Sequence, residues 1–474
     1  MTIPGPGRPY DVAQIYARER AEAGEPVRHW RGEWFERSET RWQAVSDLGM
    51  RARVTRWLAE ERVRVQSDDG WTEAPWPVKE RNVSDVLSML KAVCHRPDGD
   101  DYTPGLFLAD CYLNAGMEPR DYTPNVWNMS TTDYAWDVKA QCPTVLAWLN
   151  MILSSADVRM FRQWLGYLVS GRTDLHKMLL MLGPPRSGKG TLIWLMESLL
   201  GPAATASVAI VGRLNETFGL QPLLGKALCV FPDVRWNTQN AADAVPVLLS
   251  IAAADPLDIN RKNLTAWHGR LPTRLVIGSN DEPSLPDASG ALAARMLTIT
   301  MDKSYVGKED PGLKEKLRPE LPGVLQWALG GLAEIEKEGR FAESKTSMES
   351  REAVRLAGNP TYIFVEDACT MGPHACVLLD QLYEVYVRWC KRTGNKPLSS
   401  PILSRQLANT FRGKVTSTRI RHPTSGNRQR WVRGLTVNED PRYSQTPLGV
   451  SFDPYRPDPD EPVPDVVPDG VPDE

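Results

Sequence analysis

No stretch of this 474-residue chain reaches the roughly 18–20 consecutive apolar residues that crossing a bilayer requires. Its first residues, MTIPGPGRPYDVAQ, lack the basic-then-apolar order of a secretory leader, so neither a membrane nor a secreted protein is expected. Cysteine is sparse: seven residues, scattered and without any C-x-x-C spacing, fit reduced cytosolic thiols and exclude a disulfide framework. Cys369, His374, Cys376 and Cys390 lie near one another in the chain but match no common zinc spacing, and ordinary thiols are expected there. Residues 1–150 also lack the paired carboxylates of two-metal chemistry. Asp98, Asp100 and Asp101 do cluster, but within HRPDGDDYTPG, whose prolines and glycines read as a solvated turn. No internal repeat is present.

Charge of one sign is missing from two segments. The last 18 residues, PDPDEPVPDVVPDGVPDE, hold seven acidic groups, six prolines and no base. Such a segment cannot bury enough apolar surface to fold and is expected to be a disordered tail. Without it the chain sums to +4, against −3 with it. Residues 391–433 show the opposite bias, with eleven Lys or Arg and no Asp or Glu. A solvated helix face mixes signs, so 43 residues of one sign point to a polyanion, and nucleic acid is the expected partner.

What remains is a globular chain long enough for two to four compact units. The reading expects a flexible arm over 1–29 and a mainly helical accessory domain over 30–170, rich in Trp. Residues 171–340 should form an α/β domain with a parallel sheet. The apolar runs 178–182, 227–231 and 275–278 are short and continuous, as strands buried on both faces are, and helical segments at 191–200 and 321–335 accompany them. A polar linker over 341–360 is expected next, then a winged helix-turn-helix over 361–440 and the acidic tail over 441–474. The winged helix is read from an amphipathic helix through Leu382, Val385, Tyr386 and Trp389, a second helix opened by Ser400-Pro401, and a basic hairpin pairing 414–422 with 428–437.

The strongest motif is Gly183, Pro184, Pro185, Arg186, Ser187, Gly188, Lys189, Gly190 and Thr191, set between a buried strand and a helix. Such a loop is Gly-rich so that backbone N–H groups can turn inward around phosphates. Lys189 would reach the terminal phosphates of a nucleotide, and the loop alone leaves kinase, GTPase and motor open. Thr191 would supply the hydroxyl for Mg²⁺, because Gly190 occupies the usual Ser/Thr position after the lysine. Two strands downstream end in polar residues suited to the same chemistry. Asp233 would hold Mg²⁺ and orient the attacking water, and the neutral amide of Asn280 would position that water without adding charge.

The run Ser279-Asn-Asp-Glu-Pro-Ser-Leu-Pro-Asp-Ala-Ser-Gly-Ala-Leu-Ala-Ala-Arg295, followed by Glu320-Leu-Pro-Gly-Val-Leu-Gln-Trp-Ala-Leu329, resembles the phage/plasmid primase–helicase family. These are superfamily 3 AAA+ helicases, related to the poxvirus primase-helicase and to papillomavirus and polyomavirus replicative helicases. The resemblance extends over residues 30–437 and is strongest over 178–335. It implies a P-loop AAA+ ATPase in which Lys189, Asp233 and Asn280 serve the nucleotide. Arg295 matches the arginine finger offered to a neighbouring subunit, which implies a ring-shaped homo-oligomer, usually a hexamer. The stretch from Asp255 to Asn263 matches a hairpin whose tip touches single-stranded or forked DNA in the channel. Arg261 and Lys262 are the cations expected there, and where viral relatives carry Lys-His this chain has Lys262-Asn263. The winged helix would hold duplex DNA through Arg405, Arg419, Arg421, Arg428 and Arg430. The family implies a DNA helicase of phage, prophage or plasmid replication in the bacterial cytoplasm, with a separate primase as a further partner. Two other readings stand beside it: an origin-binding initiator whose ATPase switches assembly, and a nucleoside phosphotransferase suggested by the Gly-Pro-Pro-x-Ser-Gly-Lys-Gly-Thr pattern.

Overall fold

The computed structural model describes residues 2–67, 70–97, 102–123, 125–234, 238–281, 290–357, 359–421 and 428–438. They divide into two compact units, one of residues 2–281 and 291–354, the other of Gly290 and the residues from Arg355 onward. Among the described residues no helix is long and apolar enough to cross a membrane.

The centre of the first unit is a five-stranded parallel sheet in the order Thr205–Ser207, Leu228–Phe231, Arg274–Ser279, Met178–Leu182, Met296–Thr300. Side chains alternate between its faces, so each strand feeds two cores. Leu179, Met181, Val230, Val276 and Leu297 point to one core. Leu180, Cys229, Phe231, Ile277 and Met296 point to the other. This double burial is why the strands are unbroken apolar runs in the sequence.

The boundary expected at 170/171 falls inside one core. Phe161, Trp164 and Leu165 of the helix Ser155–Val169 are buried with the sheet residues and with Val324, Leu325 and Ala328 of the helix Leu321–Glu338. Glu334 on the second helix joins Arg159 and Arg162 on the first at 2.9 and 2.8 Å. Residues 143–169 form two helices, Pro143–Ile152 and Ser155–Val169, because Ser154 caps the second through the Asp157 amide at 3.1 Å.

The N-terminal expectation is corrected. Residues 1–29 were expected as a flexible arm, yet Thr2–Ile3 pairs in parallel with the strand Arg62–Ser67, and Pro9–Glu22 is a helix. Pro9 starts that helix with a preset φ, and Val12, Ala13 and Tyr16 are buried on one face against Met50, Val54, Leu58 and Leu90. Polar composition concealed this short apolar stripe. The region to residue 97 is also not mainly helical: beside the helices Asp47–Glu60 and Glu80–Val93 lie two three-stranded sheets. One of them, Val27–Trp30, Glu33–Ser38 and Arg41–Val45, contributes Trp30, Phe35 and Trp42 to an aromatic cluster with Trp127.

The polar linker expected over 341–360 is mostly a helix, Lys345–Ala357, and its part within the first unit covers the edge strand Met296–Thr300. The Thr298 amide donates to Ser347 Oγ at 3.0 Å, and Thr300 and Ser350 hydroxyls meet at 3.2 Å. Serines here satisfy an otherwise open sheet edge.

The second unit runs helix Pro360–Ala368, strand Cys369–Leu378, helix Leu379–Thr393, helix Ser400–Thr410, then strands Thr416–Arg421 and Arg428–Val437. The last strand lies between the other two, and the unit has its own core around Phe364, Leu382, Trp389, Leu403 and Leu407. The turn expected at Thr424–Asn427, the clustered Asp98, Asp100 and Asp101, and the acidic tail lie outside the described residues.

Candidate functional site

Three neighbouring parallel strands end together, and the polar residues after each end meet. The loop from Gly183 leads into the helix Lys189–Leu200, turning through left-handed Arg186 (φ 60°) and Gly188 (φ 109°). Gly188 needs glycine for its left-handed backbone, and Gly183 for space, because an added Cβ would stand 2.7 Å from Met301 O. Lys189, 9% exposed, folds its ammonium back onto the loop. It donates to the Gly183 carbonyl, to Pro184 O at 2.9 Å and towards Ser187 Oγ at 3.4 Å. Its remaining partner is Asn280 Oδ1 at 3.0 Å, and Asn280 Nδ2 reaches Asp233 Oδ1 at 3.4 Å. The sheet order explains this chain of contacts: the strand preceding Asn280 lies between those preceding Asp233 and Lys189. Burial pushes the Lys189 ammonium below the ordinary lysine range, and the Asp233 charge opposes that shift.

Two further ties stiffen the site. The Val234 amide donates to Gly278 O at 2.8 Å, and the Ser279 hydroxyl lies 3.1 Å from Val234 O and 2.7 Å from Asp281 O. A segment that the sequence reading missed then crosses the 183–191 loop. Ser304 Oγ donates to Pro185 O at 2.9 Å, the Tyr305 amide donates to Arg186 O at 3.1 Å, and Glu309 stands 3.5 Å from Arg186. No motif marks these residues, because they arrive through the fold after the last strand of the sheet.

Exposed Asp233 and half-buried Thr191 are two oxygen donors a metal could use, with exposed Gly190 between Lys189 and Thr191. Among the described residues no group of three or more His, Cys, Asp or Glu could hold a metal ion. That donor set fits Mg²⁺, which keeps several waters and takes few protein ligands when it travels with phosphates. It does not fit a metal caged by protein side chains.

Arg295 ends the short helix Ala291–Arg295 and donates to Leu249 O at 2.9 Å. It is half-buried and is not among the partners of Lys189, Asp233 or Asn280.

The stretch between the Asp233 and Asn280 strands forms an antiparallel hairpin, Pro256–Arg261 with Leu264–Arg270, tipped by Lys262 and by Asn263 at φ 61°. Lys262 is exposed, and its amide donates to Gln221 Oε1 at 3.0 Å. Arg261 is corrected as a DNA contact. Its side chain is 7% exposed, donates to Thr265 O at 2.8 Å and Arg31 O at 3.1 Å, and stands 3.8 Å from Glu33. A cation so enclosed is not offered to phosphates.

In the second unit Arg405 is exposed on the helix Ser400–Thr410. On the following strands Arg419 lies directly opposite Arg430, and Arg421 opposite Arg428. Alternation puts these four positions on one face of the pair. Like charges placed directly opposite one another, as Arg419 and Arg430 are, cost stability.

A model described as a family of unknown function (DUF5906) matches residues 181–295, a segment that includes Lys189, Asp233, Lys262, Asn280 and Arg295. No curated protein matches the chain. Among solved structures, the chain is similar to the apo structure of the NrS-1 C-terminal region, residues 305–718, at 12% identity and TM-score 0.49, covering 89% of this chain and 99% of that one. The A form of the same region gives 11% identity and TM-score 0.48, with 88% and 98% covered. The likeness spans most of both chains, and no functional statement rests on it.

Proposed function

We propose that this chain is an ATP-hydrolysing motor that moves along DNA, working as a ring of identical subunits. The observation that carries the reading is the run Lys189–Asn280–Asp233 at the carboxyl ends of three adjacent parallel strands, where α/β sheets bind their ligands. A loop that turns left-handed into a helix N-terminus, with a lysine beside it, suits a polyphosphate. On this reading the 183–191 segment is a P-loop. Bound phosphates replace the loop carbonyls as partners of Lys189, whose charge offsets theirs. Mg²⁺, held from the protein side by Asp233 and Thr191, would polarise the terminal phosphate. Asn280, released from Lys189, orients the attacking water through its amide while Asp233 accepts from it.

The second unit supports the DNA part. Its order of helix, strand, two helices and two strands, with the last strand central, supports reading it as a winged helix. A duplex would neutralise the opposed arginines of the 416–437 strand pair, and Arg405 would lie on the helix presented to the groove. Lys262 at the hairpin tip suits a sequence-blind grip on the translocated strand. Arg295 would serve as the finger towards the neighbouring subunit's nucleotide, exchanging the Leu249 carbonyl for phosphate oxygen.

Nucleotide turnover measured with and without DNA, beside strand displacement on forked DNA, tests the proposal. DNA-stimulated hydrolysis with unwinding is expected. Stimulated hydrolysis without unwinding favours an assembly switch, and phosphate transfer to a nucleotide acceptor refutes the motor.

A further inference from the structure

The Trp-rich N-terminal sheet has no place in the chemistry above, yet it touches the hairpin at the residue that sequence reading gave to DNA. The pairing register of the hairpin breaks between Ile259 and Arg261. Such a bulge re-aims the side chain beyond it. Arg261 accordingly leaves its neighbour Lys262 alone at the tip and closes on the turn of the N-terminal sheet, through the Arg31 carbonyl and Glu33. That turn is itself specified: Arg31 and Gly32 both have positive φ, at 52° and 84°. The Arg31 guanidinium lies 4.2 Å from the Trp30 ring centre and 5.8 Å from that of Trp267 on the returning hairpin strand. Leu264 packs so closely on Gly32 that an added methyl there would stand 3.0 Å away.

Behind these contacts the packing is not continuous. A pocket of about 340 Å³, open to solvent, lies between the N-terminal aromatics Trp30, Phe35 and Tyr102 and the hairpin base at Trp267 and Leu271. A hairpin fixed permanently would be packed to the density of a protein interior. One held by an arginine over a pocket can leave its seat without rebuilding the core.

We propose that residues 27–45 form a latch on the 256–270 hairpin, with Arg261 as the positioning residue that sets where Lys262 stands. This deepens the reading of Lys262 as the DNA-contacting tip and rests on it for its functional consequence. Two carbonyls and a carboxylate bind one planar guanidinium, which an ammonium cannot reproduce. The N-terminal region therefore acts on the motor through hairpin position rather than through chemistry.

Hydrogen exchange on the full chain tests the latch without DNA. Arg261→Ala should speed exchange across 256–270 and 27–38 by about tenfold, while 178–182 and 274–279 keep their protection. Gly32→Ala, which crowds Leu264 from the other side, should do the same, and Arg261→Lys should not rescue. Lys262→Ala should leave exchange unchanged. In the same Arg261→Ala protein, the DNA concentration giving half-maximal stimulation of ATP hydrolysis should rise about tenfold, with DNA-free hydrolysis within about twofold of wild type. Unchanged exchange in both latch variants overturns the proposal, and so does exchange that rises equally throughout the central sheet. Local loosening without any change in DNA dependence supports the latch and sinks the reading of Lys262 as the DNA contact.

Discussion

Asn280→Ala separates the two halves of the proposed chemistry. Wild-type Lys189 has four partners, the Gly183 and Pro184 carbonyls, Ser187 Oγ and Asn280 Oδ1, and the substitution removes only the last. The loop and its lysine therefore remain to hold phosphates, and nucleotide affinity should stay within about threefold of wild type. Asn280 is exposed and outside the core, so the melting temperature should move by no more than about 2 °C. What disappears is the amide that lies between Lys189 and Asp233 and, on the proposed reading, would orient the water. Removing one such preorganised donor costs about 3–4 kcal/mol in the transition state, or roughly 10²–10³-fold in kcat. The assay pairs steady-state hydrolysis at saturating ATP and Mg²⁺ with the Kd of a non-hydrolysable analogue. A kcat loss below about tenfold would refute a water-orienting Asn280. So would a Kd that weakens in step with kcat, because Asn280 would then be a binding residue.

Three other outcomes follow from particular contacts. Burial lowers the Lys189 pKa from its ordinary 10.5, and phosphates would favour the charged form, so binding in the alkaline range just below that value should take up protons. Calorimetry in buffers of different ionisation enthalpy should show that uptake at the alkaline end; release there would contradict the sign. Mixing Arg295→Ala with Lys189→Ala should restore some hydrolysis, since composite interfaces carry both residues; no recovery at any ratio would remove the finger in trans. Arg430→Gln in a 359–440 fragment should stabilise the fold by a few tenths of a kcal/mol, about the cross-strand repulsion from Arg419 that it relieves. It should also weaken duplex binding and lower the salt slope by about one, and unchanged DNA affinity would exclude that face as the contact.

The sheet was legible because parallel strands buried on both faces leave continuous apolar runs, and a polar residue just past each run falls at one sheet edge. Lys189, Asp233 and Asn280 could be named from spacing alone for that reason. Arg261 and Lys262 could not be told apart, because a bulge of one residue decides which faces the latch and which faces solvent. Ser347 looked like linker composition, although its hydroxyl covers the amide of an edge strand. Ser304 and Tyr305 left no trace in the motif, since they reach the loop from more than 110 residues downstream. The helix Pro9–Glu22 was masked by its own charges: only Val12, Ala13 and Tyr16 on its inner face are buried.

The central claim, that hydrolysis at the Lys189 site drives movement on DNA, is tested most directly by strand displacement on a labelled fork, run with wild type and Lys189→Ala side by side. Wild type should release the labelled strand only with both ATP and Mg²⁺, and Lys189→Ala should release none while still binding the fork. Wild type that hydrolyses ATP yet displaces no strand from forks of either polarity, or Lys189→Ala that unwinds like wild type, would contradict the account.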